Sequence, residues 1–178
     1  MTVDGLESAR LSSPRMSPDR SVLRVLFVCT GNTCRSPLAA LALQAELGED
    51  AKAVEVRSAG TAAHAGDPAS EGSRLVAAAE GLDLSNHRSR SLSAAMAREA
   101  EFVFVMTPAH RAAVEALGVP REQVHVLSEW PAPGEPGLPV FDPFGASREA
   151  YEECWRRLRI HARRIAVPLR QVLRERSI

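Results

Sequence analysis

The sequence predicts a doubly wound α/β fold, a single domain with a four-stranded parallel sheet flanked by helices. Three observations carry this expectation. Short apolar runs alternate with segments of helical spacing along the chain. Ser-Pro or Thr-Pro pairs open two of the helical segments, and Gly follows several of them. At 178 residues, with no internal repeat, the chain has room for one ordinary domain.

Val25-Leu26-Phe27-Val28 is a continuous apolar run, as expected of a strand buried on both faces. Thr30 and Gly31-Asn32 break it. Ser36-Pro37 offers an N-cap and a proline at the first helical position. Leu38 to Leu47 are strong helix formers, and Gly48 can close their helix in a left-handed conformation. Ala53 to Arg57 reads as a second strand, followed by Ser58-Ala59-Gly60. Ser70 to Glu80 is helical up to Gly81, and Leu92 to Ala100 forms another helix.

Phe102 to Met106 is the third strand. Thr107-Pro108 repeats the cap-then-proline start, for a helix reaching Leu117 with Gly118 after it. Val124 to Leu127 supplies a short fourth strand. From Ser128 to Pro139 the chain is dense in Pro and Gly, a surface loop. The last segment starts near Ser147 as an N-cap. Tyr151, Cys154, Trp155, Leu158, Ala162, Ile165, Leu169 and Val172 then mark one apolar face. Pro168 predicts a kink or an early end there.

Charge and composition exclude several classes. Lys and Arg balance Asp and Glu at a net of zero, against an extended basic face for nucleic acid. No run approaches roughly 18 apolar residues, so no membrane span is expected. Residues 1–21, rich in Ser, Pro and Arg, lack the apolar core of a secretory signal and read as a disordered tail, with a docking segment as the alternative, before a domain over 22–178. Three cysteines form no disulfide framework, which predicts a reducing, cytoplasmic setting. The five histidines show no ligand spacing, and neither metal nor cofactor is expected. Oligomeric state is not legible.

In a doubly wound fold, ligands bind at the carboxyl ends of the strands, and Cys29-Thr30-Gly31-Asn32-Thr33-Cys34-Arg35-Ser36-Pro37 sits there. A turn whose backbone N–H groups face inward and lead into a helix is an anion-binding nest. Gly31 and Asn32 tolerate the left-handed backbone it needs. Arg35 adds a planar fork for phosphate oxygens. The field that binds phosphate also favours the thiolate of Cys29, which can attack phosphorus in line. The bland reading is a tight turn with a buried cysteine. A Gly-Asn turn, a Ser-Pro start and a preceding buried strand together speak against it.

Residues 25–38 resemble the active-site loop of the low-molecular-weight protein-tyrosine-phosphatase family. Ser58-Ala59-Gly60-Thr61, the Leu84–Arg90 stretch and Asp142-Pro143 match in the family's order, so the resemblance spans about 23–173. It implies Cys29 as nucleophile, Arg35 as phosphate clamp and Asp142 as general acid, with Thr30, Gly31, Asn32, Thr33, Cys34 and Ser36 lining the phosphate. From the residues alone, Asp142-Pro143 could equally make a turn or cap the last helix. The resemblance further implies a network of Asn32, Ser36, Ser58 and His87 that shapes the loop; a purely structural histidine is the other reading of His87. It also implies a reversible Cys29–Cys34 disulfide, whereas Cys34 could instead be a small buried side chain. Cys154 reads as core.

Thr33 and Phe144 bear on the substrate, a phosphorylated protein that would yield inorganic phosphate. Tyrosine-specific relatives tend to carry a bulkier apolar residue at the position of Thr33, and tyrosines at that of Phe144. The Cys29–Pro37 and Asp142–Gly145 strings look like those of bacterial protein arginine phosphatases. The expectation is a protein phosphatase with phosphoarginine slightly ahead of phosphotyrosine. A tyrosine phosphatase proper is the alternative, and Thr33 could have no say in selectivity. An arsenate reductase would need further cysteines between Glu80 and Ser91, and a non-catalytic phosphate-binding module would have lost Cys29 or Asp142.

Overall fold

The computed structural model describes residues 22–130 and 138–176. The tail expected over 1–21 and most of the loop expected over 128–139 lie outside the described residues. Four parallel strands stand in the order β2-β1-β3-β4: β1 Leu23–Cys29, β2 Val54–Gly60, β3 Phe102–Val105 and β4 Val124–Val126. The helices are α1 Arg35–Leu47, α2 Glu71–Ala79, α3 Ala94–Glu99, α4 Pro108–Glu115 and α5 Arg148–Arg176.

The apolar run of β1 serves two cores because side chains alternate along a strand. Val25 and Phe27 join Leu38 and Leu43 of α1 and Leu158 and Ile165 of α5. Leu26 and Val28 face the other way, toward Ala97 of α3 and Val114 of α4. Both faces of the sheet are therefore covered, as a parallel sheet requires. The central position of β1 puts the loop after it between the loops that follow β2 and β3.

Several boundaries differ from the sequence expectation. Ser36 is not the N-cap of α1: Cys34 occupies that place without a side-chain capping bond, and Ser36 and Pro37 lie within the first turn. The Ser36 hydroxyl is committed to neighbours inside the preceding loop instead. A 3₁₀ segment over Gly48–Ala53 delays β2 by one residue. Ser58-Ala59-Gly60 then belongs to the strand rather than following it, because Gly60 pairs with Cys29.

Pro168 does not end α5, which runs on to Arg176. The helix is held past the proline on its buried face, where Ile165, Ala166 and Leu169 pack into the core against α1. Beyond it, Arg170 donates to the Glu46 carbonyl at 2.7 Å and Arg176 pairs with buried Glu101. Packing of this kind offsets the roughly 3 kcal/mol that an interior proline costs. Among the described residues, no helix is long and apolar enough to cross a membrane.

Candidate active site

Cys29 is the last residue of β1, buried at 2 % exposure, and the chain turns beneath it before entering α1. Its Sγ lies 3.0 Å from Ser36 Oγ and accepts from the Asn32 N–H at 3.3 Å. A hydroxyl and an amide thus converge on one sulfur.

Asn32 organises the turn. It is fully buried and is the one non-glycine with positive φ among the described residues, at 54°. Such a backbone persists only where its surroundings hold it. Its Nδ2 donates to Ser36 Oγ and to Ser58 Oγ, both at 2.9 Å. Its Oδ1 accepts from the Arg90 N–H at 2.9 Å, and its carbonyl accepts from His87 Nε2 at 2.7 Å. The other three residues of the expected network thus meet at Asn32: Ser36 and Ser58 at its side chain, His87 at its carbonyl. Because a carbonyl only accepts, His87 carries its proton on Nε2. Burial holds the His87 imidazole below its ordinary range; the bond to Asn32 opposes this, and Arg90 and Arg88 reinforce it.

Gly60 meets the loop from the β2 side. A Cβ there would stand 2.4 Å from the Thr30 carbonyl oxygen and 2.9 Å from the Asn32 nitrogen. Thr61 N–H donates to the Cys29 carbonyl and Ala62 N–H to that of Thr30, both at 2.9 Å, which sew the two segments together.

Arg35, 5 % exposed, opens α1, and its Nη2 donates to Asp142 Oδ2 at 2.6 Å. Its buried Nε has no partner in the protein. Asp142 is about half exposed, and its Oδ1 accepts from the Phe144 N–H at 3.2 Å. The Phe144 ring stands exposed just beyond. Phe141 and Phe144, on either side of Asp142-Pro143, are the two exposed aromatics of the described residues; the other six rings are buried.

Thr33 is half-buried, and its carbonyl accepts from Ser70 N–H at 2.9 Å. Cys34 is buried, its Sγ donating to Ser70 Oγ at 3.2 Å and lying 3.6 Å from Tyr151 Oη. All three cysteines are free thiols. Burial pushes the Cys154 thiol up to about 12, so it behaves as core.

Sequence reasoning missed His110. It lies in the first turn of α4, and its Nε2 is 2.9 Å from Thr30 Oγ1. The Thr107-Pro108 helix start carried the signal, since it puts the third helical residue at the carboxyl edge of β3, beside the loop. Ser70 and Tyr151, the neighbours of Cys34, read only as a helix start and as a core position. Among the described residues, no group of three or more His, Cys, Asp or Glu could hold a metal ion.

The model of a family described as low molecular weight phosphotyrosine protein phosphatase matches residues 24–177. A protein-arginine-phosphatase of Geobacillus stearothermophilus is 37 % identical over 129 residues, covering 72 % of this chain and 83 % of that protein. The low molecular weight protein-tyrosine-phosphatase Wzb of Salmonella typhi is 33 % identical over 147 residues, covering 82 % and 93 %. Among solved structures, a cysteine-to-serine mutant of the YwlE arginine phosphatase, with its active-site serine phosphorylated, superposes with a TM-score of 0.76. It is 30 % identical and covers 83 % of this chain and 96 % of its own.

Proposed function

The chain belongs to the low molecular weight phosphotyrosine protein phosphatase family and is a phosphatase of phosphorylated proteins; on that premise we propose that Cys29, Arg35 and Asp142 perform the reaction, with phosphoarginine the preferred substrate. The observation that carries this reading is the 2.6 Å contact between Arg35 and Asp142, which draws a residue 107 positions away to the loop holding Cys29.

The Cys29 thiolate attacks phosphorus, forming the S–P bond as the bond to the leaving nitrogen or oxygen breaks. Ser36 Oγ and the Asn32 amide stabilise the sulfur as it leaves in the second step. Arg35 and the inward amides at the start of α1 bind the phosphoryl oxygens, and charge spread over those oxygens is where stabilisation counts. The unpartnered Nε of Arg35 is suited to one of them. Asp142, as the carboxylic acid, gives its proton to the leaving atom. As carboxylate it then takes a proton from the water that attacks phosphorus, which breaks the S–P bond, frees inorganic phosphate and restores the thiolate. The phosphorylated serine of the YwlE mutant supports Cys29 in this role. The reaction suits the cytoplasm, where reducing conditions keep Cys29 a thiol.

Two observations bear on which phosphate is removed. Thr33 places a hydroxyl on the loop rather than an apolar wall, and Gly31 faces it: a Cβ on Gly31 would lie 3.6 Å from Thr33 Oγ1. A polar group there suits a guanidinium, which carries N–H donors on every side. The exposed Phe144 ring favours the second reading, phosphotyrosine, because it could stack on a phenyl group. The test compares kcat/KM of the reduced enzyme on a phosphoarginine protein and a phosphotyrosine peptide, with Cys29→Ser as control. Preference for phosphoarginine, moved toward phosphotyrosine by Thr33→Ile, supports the proposal. Preference for phosphotyrosine in the unmodified chain overturns the substrate reading, and activity in Cys29→Ser overturns the mechanism.

A further inference from the structure

We propose that His110 is a positioning residue for the phosphate-binding loop, which it holds through the hydroxyl of Thr30; this rests on reading residues 29–35 as that loop. Thr30 directly follows the nucleophile, and displacement here tilts both the Cys29 sulfur and the first amides of the nest. The rest of the loop is well anchored. Asn32 is held from Ser36, Ser58, His87 and Arg90, and Arg35 is tied to Asp142. Among the described residues, the Thr30 backbone is held by its carbonyl, which accepts from Ala62 N–H. Its side chain, on an otherwise exposed residue, has His110.

The imidazole is fixed at both nitrogens. Thr107 caps α4, its Oγ1 accepting from the His110 N–H at 3.3 Å and meeting His110 Nδ1 at 3.0 Å. In one neutral tautomer the Thr107 hydroxyl gives its proton to Nδ1. Nε2 then carries the ring proton and donates it to Thr30 Oγ1 at 2.9 Å. His110 is 6 % exposed, so its ring cannot turn without stranding a buried nitrogen. Burial first, and Arg35 second, disfavour its charged form, while Asp142 opposes them. The neutral ring with its proton on Nε2 satisfies both bonds. The β3–α4 connection thereby reaches across to the loop after β1 and sets its first residue.

A histidine that merely fills space would tolerate any isosteric amide; a positioning histidine would not. Gln places its amide nitrogen where Nε2 lies and can still reach Thr30. Asn mimics only the Nδ1 side and cannot. His110→Asn and Thr30→Val should each lower kcat/KM on a small phosphoryl substrate by about three- to tenfold, the range of one ordinary hydrogen bond. Each should weaken competitive inhibition by inorganic phosphate by a similar factor. The double variant should fall no further than either single one, and His110→Gln should recover most of the loss. Independent, multiplicative losses, or a His110→Asn enzyme that matches the unmodified chain, would overturn the proposal. If His110→Asn does not fold, Thr30→Val decides, because its side chain is exposed: unchanged phosphate affinity refutes the tether. An unmodified chain with no phosphatase activity would sink the loop reading as well, an outcome distinct from an active enzyme indifferent to these substitutions.

Discussion

Replacing Gly60 by Ala should cost activity far more than stability. The added Cβ would sit 2.4 Å from the Thr30 carbonyl oxygen, where real contacts begin near 3.0 Å, so about 0.6 Å of movement is the minimum relief. The contact with the Ala63 side chain, at 2.8 Å, can relax; those with Thr30 O and Asn32 N are backbone and cannot do so locally. Nor can Gly60 retreat. Its N–H donates to the Arg90 carbonyl at 3.0 Å, its carbonyl accepts from Leu92 N–H at 2.8 Å, and it pairs with Cys29 in the sheet. The loop must yield, and misplacement approaching 1 Å in a reacting geometry costs on the order of 10²-fold. We expect kcat/KM of Gly60→Ala to fall roughly 10- to 100-fold. The overpacking should remove about 1–3 kcal/mol of stability, which leaves most molecules folded at 25 °C. Gly81→Ala is the control. Nothing lies within 4 Å of its Cβ, but its φ of 73° is strained for Ala, so it should lose stability and keep activity. Steady-state kinetics beside thermal melting separates the cases. A Gly60→Ala enzyme within twofold of the unmodified chain would refute the claim that the β2 end sets the loop.

Two further outcomes follow from the same coordinates. Asp142→Asn should lower kcat/KM, which reports the steps up to departure of the leaving group, by about 10²–10⁴-fold on a substrate with a poor leaving group and much less on p-nitrophenyl phosphate, whose leaving group needs no proton; equal losses on both would remove Asp142 as the acid. His125 sits between Phe102, Phe104 and Trp130, and burial, helped by Arg111, lowers its imidazole to about 4 from the usual 6.5. The unfolded chain therefore binds the extra proton first. This contribution to stability is intact above about 6.5 and is lost as the pH falls toward 4, by at most about 3 kcal/mol. Urea unfolding at pH 7 and pH 4.5 should show a smaller loss on acidification in His125→Phe, and an equal loss would contradict the assignment.

The order of strands and helices was readable because β1 and β3 carry apolar runs and β2 and β4 begin by alternating, none with helical spacing, and because Ser70, Ser93 and Thr107 cap their helices with their own side chains. Ser36-Pro37 carried the same local signal and misled. There the turn around Asn32 claims the serine hydroxyl, and a long-range need overrides a local preference. Pro168 did not end its helix for a related reason, since propensity is a weak prior against a buried face. Cys29, Arg35 and Asn32 stood out because the loop is contiguous in sequence. His110 and Tyr151 did not, since their partners Thr30 and Cys34 lie 80 and 117 positions away, and no periodicity links such pairs.

The Asn32 contacts also say something about time. Its partners Ser58, His87 and Arg90 lie 26, 55 and 58 residues further along the chain. A loop that holds its left-handed turn largely through them cannot take its full shape as Cys29 leaves the ribosome or as local structure first condenses. Until those segments dock, the Asn32 amide and the Ser36 hydroxyl are not held against the Cys29 sulfur. During refolding, the recovery of phosphatase activity should lag behind the return of helix signal. The fold thus withholds its reactive group from half-built molecules, in which a thiolate would meet oxidants and stray disulfides before it ever met a substrate.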